Sequence, residues 1–327
     1  MSDAAEGGAA AASRRRDIPN TAGVGEIRAV GILANAYRTA ALDGARRLAQ
    51  LLLARGTRVL CHSSVADALG PYASGCLSPA LSEAQVLVAL GGDGTLLTAS
   101  RMAAPHGIPV LGVHSGGEGS FGFLTQTTPA ELDGAVSALL DGDYLLEERS
   151  MCSAAVSRSG EPVARFTALN DLVIRGQSRM LKLGVEVNGV YLATYAADGI
   201  ILATPTGSTA YNLAAGGPLV HPSVEALILT PICPHTLNVR SLVVGLDEVV
   251  RVRLDNGVRD ETLLTVDGQE RFHLQPCDEV VFTRASTRAR FIVFGSGGFY
   301  RRVHTRLRLG ERFGVDSTVA STTQTSL

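Results

Sequence analysis

Ala84-Gln85-Val86-Leu87-Val88-Ala89-Leu90-Gly91-Gly92-Asp93-Gly94-Thr95 is the stretch on which the fold turns. Its first part is short and apolar and reads as a buried strand. It ends directly in glycines, and a helix from near Thr95 would carry Leu96, Leu97, Ala99 and Met102. A glycine cluster at the carboxyl end of a strand is where parallel α/β sheets bind ligands. Upstream, Ala29–Leu33 and Thr57–Leu60 read as strands around a helix over Thr39–Ala54, closed by Gly56. Downstream, Ile108–Val113 is a further strand. This alternation predicts a doubly wound parallel sheet.

After about Asp141 the texture changes. Met151–Ser157, Thr167–Arg175, Gly184–Asn188, Val190–Tyr195, Val249–Leu254, Glu261–Val266, Glu279–Thr283 and Ala289–Phe294 are short and strand-like, and Asn188-Gly189 is a hairpin turn. The fold class is therefore α/β plus mainly-β, an N-terminal Rossmann-like doubly wound domain followed by a C-terminal β-sandwich domain. The boundaries fall at 1–26 (flexible tail), 27–140 (α/β nucleotide-binding domain), 141–297 (β-rich domain), 298–313 (a basic segment packing back on the first domain) and 314–327 (disordered tail).

Composition narrows the function. Of 327 residues, 46% are hydrophobic and the net charge is −2, so a large core is available and no basic excess points to nucleic acid. Lys182 is the sole lysine, which excludes a Walker A loop. Five scattered cysteines fit neither a disulfide framework nor a zinc site, and a cytoplasmic protein is expected. No apolar run reaches the roughly 18 residues of a membrane helix. Arg14-Arg15-Arg16 lacks the apolar stretch that an export signal needs.

Chemistry enters with Asp93. Gly91, Gly92 and Gly94 let phosphate oxygens approach the backbone, and the N–H groups there and at Thr95 form an anion-binding concavity. A carboxylate should repel phosphate, so Asp93 is best explained as the acceptor for a hydroxyl about to attack it, as general base or orienter. The turn recurs in phosphofructokinases and in lipid kinases related to diacylglycerol kinase, so alone it leaves a sugar or lipid kinase open. A plain strand-to-helix turn with Asp93 near the N-cap is the bland alternative.

Asp198-Gly199-Ile200-Ile201-Leu202-Ala203-Thr204-Pro205-Thr206-Gly207-Ser208-Thr209-Ala210-Tyr211-Asn212-Leu213-Ala214-Ala215-Gly216-Gly217-Pro218 is the second motif. Its glycines and prolines fold a loop sharply, Ser208 and Thr209 supply hydroxyls, and Tyr211 adds an aromatic face, a set suited to adenine and ribose. This run resembles the signature of NAD kinases. Leu229–Leu237, Phe121–Thr125, Asn170-Asp171 and Val266–Gln269 extend the resemblance over about residues 27–312, in the family's order.

The resemblance implies roles. Asp93 would face the 2′-hydroxyl of the adenosine ribose of NAD. Asn170 and Thr209 would bond the adenine end, with Ala210 and Tyr211 lining that pocket. Asp171 would contact a ribose hydroxyl and Asp198 the nicotinamide carboxamide. Thr206, Ser208, Asn212, Leu213, Ala214 and Gln269 complete the nucleotide-binding set. It further implies ATP as donor and a homodimer or homotetramer; no His, Cys, Asp or Glu cluster has metal-ligand spacing, so magnesium or another divalent cation is expected to arrive on the ATP phosphates. The chain departs from the family at Asp171 (usually glutamate), Thr98 (often basic), Ala214 (often serine) and a longer loop at His114–Gly119, where His114 is the candidate replacement for an asparagine. Arg101 is the candidate for meeting phosphate charge in place of Thr98. The altered loop leaves a non-catalytic dinucleotide sensor as a further reading.

Overall fold

Strands and helices alternate through the first half of the chain: β1 (Ala29–Ala34), α1 (Thr39–Ala54), β2 (Arg58–Cys61), α2 (Ala66–Leu69), β3 (Gly75–Cys76), β4 (Val86–Gly91), α3 (Asp93–Ala103), β5 (Val110–His114) and α4 (Leu132–Asp141). The second half is nearly all strand: β6 (Leu145–Arg158), β7 (Glu161–Ala168), β8 (Asp171–Gly176), β9 (Leu181–Val187), β10 (Val190–Ala197), β11 (Gly199–Ala203), α5 (Tyr211–Ala214), β12 (Ala226–Ile232), β13 (Leu242–Gly245), β14 (Val250–Leu254), β15 (Thr262–Val266), β16 (Glu270–Leu274), β17 (Glu279–Val293) and α6 (Gly298–Leu307). The computed structural model describes residues 25–77, 81, 83–116, 122–177, 180–235, 238–254, 261–295 and 298–308. The expected tails, apart from Gly25 and Glu26, and Gly117–Gly119 of the longer loop lie outside the described residues.

Helix α1 shows why the first half folds as it does. Ala41, Ala45, Leu48, Ala49 and Leu52 recur at helical spacing and are buried. Gly56 then takes φ +75°, and Thr57 N–H returns to the Leu52 carbonyl at 3.0 Å, so the chain leaves the helix sharply. The sheet runs β3-β2-β1-β4-β5, parallel throughout, with helices on its faces. Strand order reverses between β1 and β4, which puts the end of β4, Gly91, at the switch point where such sheets bind ligands.

Beyond β5 the same sheet continues through β17, β14, β9 and β10, with β6 attached to β17 and β7 to β6. A second, antiparallel sheet runs β13-β12-β11-β8-β15-β16. One core joins the two layers, with Leu172, Ile200 and Leu264 of the second sheet against Leu183, Val250 and Phe282 of the first. Alternation is clean in β9, where Leu181, Leu183 and Val185 are buried and Lys182 is exposed. The protein is thus Rossmann-like with a β-sandwich, and the sandwich shares a layer with the parallel sheet. Among the described residues no helix is long and apolar enough to cross a membrane.

Three expected strands differ. Thr167–Arg175 is broken at Leu169-Asn170, because the Asp267 carboxylate, from a distant turn, takes the N–H groups of Leu169, Asn170 and Asp171 away from any ladder. Glu279–Thr283 and Ala289–Phe294 are two parts of the single strand β17, bulged between Arg284 and Arg288.

Candidate active site

Helix α3 begins at Asp93 itself, two residues before the expected start, with Gly92 extended before it. An acid in the first turn suits the helix dipole. A Cβ on Gly91 would lie 2.3 Å from Thr95 Oγ1, so glycine there is what admits the threonine into the turn. The Asp93 carboxylate is held by the backbone: Phe123 N–H donates to Oδ2 at 3.1 Å and Leu124 N–H to Oδ1 at 3.0 Å. Gly122, at φ +65°, turns the chain so that both N–H groups face the carboxylate.

The second wall is organised by Asp267. Its carboxylate collects the N–H of Asn170 at 2.7 Å, those of Leu169 and Asp171 at 3.2 Å, and the Arg101 guanidinium at 2.7 Å. Arg101 is therefore bonded to this carboxylate, to Gln269 at 2.7 Å and to Glu270 at 3.2 Å. Gln269 is engaged at both ends of its amide. Its nitrogen donates to the Gly94 carbonyl, and its oxygen accepts from Thr98 and Arg101. Asp171 lies buried at the start of β8, and its carboxyl is pushed up to about 7, chiefly by burial and then by the neighbouring Asp267 charge.

The Thr204–Pro218 loop closes the site. Thr204 Oγ1 donates to the Leu169 carbonyl at 2.5 Å. A Cβ on Gly207 would sit 2.1 Å from the Asn170 carbonyl oxygen, so only glycine lets the loop lie against Asn170. Ser208 Oγ donates to the Val220 carbonyl and accepts its N–H, both at 3.1 Å. Asn212 is fully buried, bonded to the carbonyls of Ser208 and Pro218 and to the Thr230 hydroxyl. These two side chains pin the loop from within. Thr209 donates to the Thr206 carbonyl at 3.3 Å, and Arg149 reaches Thr206 Oγ1 at 3.4 Å.

Asp93, Phe123, Leu124, Asn170, Thr206, Thr209 and Ala210 line one cavity of about 120 Å³. Oδ1 of Asn170 is buried and, among the described residues, lacks a hydrogen-bond partner. A buried acceptor of this kind calls for a donor from a ligand or water. The cavity is too small for a dinucleotide and suits its reacting part. Asp198 stands at the opposite end of β11, about 17 Å away for five strand residues. Tyr211 packs against the small core of Val173, Ile201 and Ile228; Leu213 is half-buried and Ala214 exposed. A larger hollow of about 490 Å³ is lined by Glu225, Asp247 and Glu248 and holds none of the motif residues. Of its carboxylates, Glu225 is paired with Arg288 and Asp247 with Arg284.

Several functional groups escaped the sequence reading. The N–H groups of Phe123 and Leu124 have no side-chain signal, although Gly122 marks the turn. Asp267 falls within the Val266–Gln269 stretch of the resemblance, which gave it no role of its own. Arg149, buried and 2.8 Å from Glu147, and Arg302 of α6 carry no motif at all. Among the described residues no group of three or more His, Cys, Asp or Glu side chains is disposed to hold a metal ion.

A family model described as ATP-NAD kinase N-terminal domain matches residues 30–144, and one described as ATP-NAD kinase C-terminal domain matches 169–294. The NAD kinase of Moorella thermoacetica is 43% identical over 298 residues, covering 90% of this chain and 94% of that protein. That of Symbiobacterium thermophilum is 42% identical, covering 84% and 97%. Among solved structures, yeast NADH kinase complexed with NADH superposes with a TM-score of 0.80 at 23% identity, over 89% of this chain and 90% of that one. An NAD kinase from Archaeoglobus fulgidus in complex with ATP gives 0.67 at 21% identity, over 86% and 98%. Both share this fold.

Proposed function

Because the chain belongs to the NAD kinase family, we propose that the Asp93–Asn170 cavity is where the adenosine ribose of NAD meets the terminal phosphoryl group of ATP. The enzyme makes NADP and ADP from NAD and ATP. In this reading Asp93 accepts the hydrogen bond of the ribose 2′-hydroxyl. As the O2′–P bond forms and the bond from phosphorus to the β-phosphate oxygen breaks, the hydroxyl proton passes to Asp93 and ADP leaves. The observation that carries it is the pairing, in one cavity, of a carboxylate held by two backbone N–H groups with the buried Oδ1 of Asn170, which lacks a partner among the described residues. That oxygen suits the exocyclic amine of adenine.

Thr206, Thr209 and Ala210 form the rest of the nucleoside wall, and the glycines at 91, 92 and 94 with Thr95 face the phosphates. Asp171 meets a ribose hydroxyl, and Asp198 meets the nicotinamide end, a reading supported by its place at the far end of β11. Ser208, Asn212 and Gln269 act by holding the loop and the α3 turn; Tyr211, Leu213 and Ala214 border the adenine side. Magnesium enters as part of the donor substrate, held by phosphates and water. The unpaired thiols of Cys61, Cys76, Cys152 and Cys233 support a cytoplasmic setting. Strand β10, at the edge of its sheet with Val190 and Tyr191 69% and 64% exposed, supports a homodimer or homotetramer built through the β-rich half.

Incubation with magnesium-ATP and a panel of NAD, NADH, hexoses and diacylglycerol tests the reading. A product that serves an NADP-specific dehydrogenase is expected from NAD. Phosphorylation of a hexose or diacylglycerol with NAD untouched would overturn it.

A further inference from the structure

Setting a phosphoryl group beside Asp93 needs a compensating cation. The sole lysine, Lys182, is on β9 within the sandwich, and Arg101 is neutralised by Asp267. Among the described residues, Arg302 and Arg306 bring positive charge towards this region from an element outside both motifs, the α6 helix.

Three contacts lay α6 along the mouth of the site. At its start Phe299 and Tyr300 pack on the His221 ring, with centroids 4.9 and 5.3 Å away. In its middle Val303 is buried. Towards its end Arg306 Nη2 comes 3.5 Å from where a Cβ on Gly122 would sit, with His114 Nδ1 3.4 Å from the same point. Gly122 precedes the two residues whose N–H groups hold Asp93. Arg302 lies between these anchors, one turn from each, and its guanidinium folds back on Gly298, where a Cβ would come within 2.5 Å of Nη1.

Its Nε is buried and, among the described residues, has no hydrogen-bond partner. Arg149 is the neighbouring guanidinium, and Glu147, at 2.8 Å, pairs with Arg149. Burial, then the Arg149 charge, hold Arg302 below the usual arginine range; Glu147 and Asp93 work the other way. Two clustered guanidinium ions thus share one paired carboxylate and the reactive Asp93. An uncompensated buried cation is costly, and a ligand anion offsets that cost.

We propose that Arg302 contacts the terminal phosphates of ATP, with Arg149 behind it and Arg306 at the rim. This rests on the reading of the Asp93 cavity as the transfer site. A guanidinium matches phosphate oxygens in a two-pronged fashion and stabilises the charge that spreads over the transferred group. Arg302 thereby supplies the cation that Thr98 and Arg101 do not. The donor's phosphates are enclosed between the α3 turn on one side and α6 on the other.

The test is steady-state kinetics of Arg302→Gln and Arg302→Lys, varying ATP and NAD separately, with tripolyphosphate as a binding probe followed by thermal shift. Arg302→Gln is expected to lower kcat/KM for ATP about 100-fold while the KM for NAD moves less than about twofold. Arg302→Lys should recover part of the loss. Tripolyphosphate should raise the Tm of the wild type and not of Arg302→Gln, whose own Tm stays level or rises. Equal losses for both substrates with a lowered Tm would assign Arg302 to packing and overturn the proposal. So would unchanged ATP kinetics in an active enzyme. A wild type that fails to phosphorylate NAD would instead sink the reading of the cavity itself.

Discussion

Arg101 Nη1 meets Oδ2 of Asp267 at 2.7 Å, and this ion pair ties the helix that starts at Asp93 to the junction that carries Asn170. Asp267 is buried, and its other bonds go to backbone N–H groups on both sides of Asn170. One buried carboxylate therefore links the two sides of the cavity that carry Asp93 and Asn170.

Removing that carboxylate should be severe. Asp267→Ala leaves Arg101 and three N–H groups without their acceptor, and a loss of roughly 3–5 kcal/mol is expected. Urea denaturation measures it. In a double-mutant cycle with Arg101→Gln the effects should be strongly non-additive; simple additivity would mean that the pair does not couple the two walls.

Asp93→Asn retains the volume and loses the charge. Turnover should fall by about 10²–10⁴-fold with the KM for NAD nearly unchanged. An amide nitrogen would also face one of the Phe123 and Leu124 N–H groups, so a stability loss of about 1–2 kcal/mol is expected alongside. Retained turnover would remove Asp93 from the chemistry.

The raised pKa of Asp171 makes a pH prediction of definite sign. A carboxyl whose folded pKa lies above its unfolded value contributes stability that is full below about pH 4 and is lost as pH rises through about 7. Asp171→Asn should be immune to this loss. The variant's advantage in unfolding free energy should therefore grow between about pH 4 and 7, to at most about 4 kcal/mol, then level off. A pH-independent difference would show that burial and Asp267 do not act on this group as described.

Gly207→Ala should damage binding through the backbone. The new methyl would overlap the Asn170 carbonyl oxygen, so the loop and Asn170 must part. A cost of about 1–3 kcal/mol is expected, with a higher KM for NAD. A wild-type KM would show that the loop does not need this close approach.

Local pattern carried the first half of the fold. Apolar spacing in Thr39–Ala54 with Gly56 at its end defines α1, and the run into Gly91 defines β4. It failed where a distant residue intervenes. Nothing within Thr167–Arg175 announces that Asp267 will break the strand at Leu169-Asn170. Arg101 stood at the right helical offset for phosphate, but its partner arrives from the same distant turn. The Gly91–Thr95 turn and the Thr204–Pro218 loop were legible because glycine is required there by close approach. Arg149 and Arg302 were not, since an arginine's role depends on which carboxylates the fold brings to it.

Strand β17 pairs in parallel with β5 through Phe291 and Val110, and its antiparallel pairing with β6 spans Glu279 to Val293. During synthesis, Gln126 and Thr127 can take the Gly112–His114 part of the β5 edge early, but its Val110 end stays uncovered until nearly 300 residues have been made. Such long-range pairing is slow to form and exposes a strand edge to other nascent chains. Helix α6 follows directly, so the strand that covers that edge and the arginines at the mouth of the site emerge from the ribosome together. A partly translated chain can hold the α3 turn and still lack the groups that complete it, so the order of translation itself makes assembly of the catalytic centre a late event.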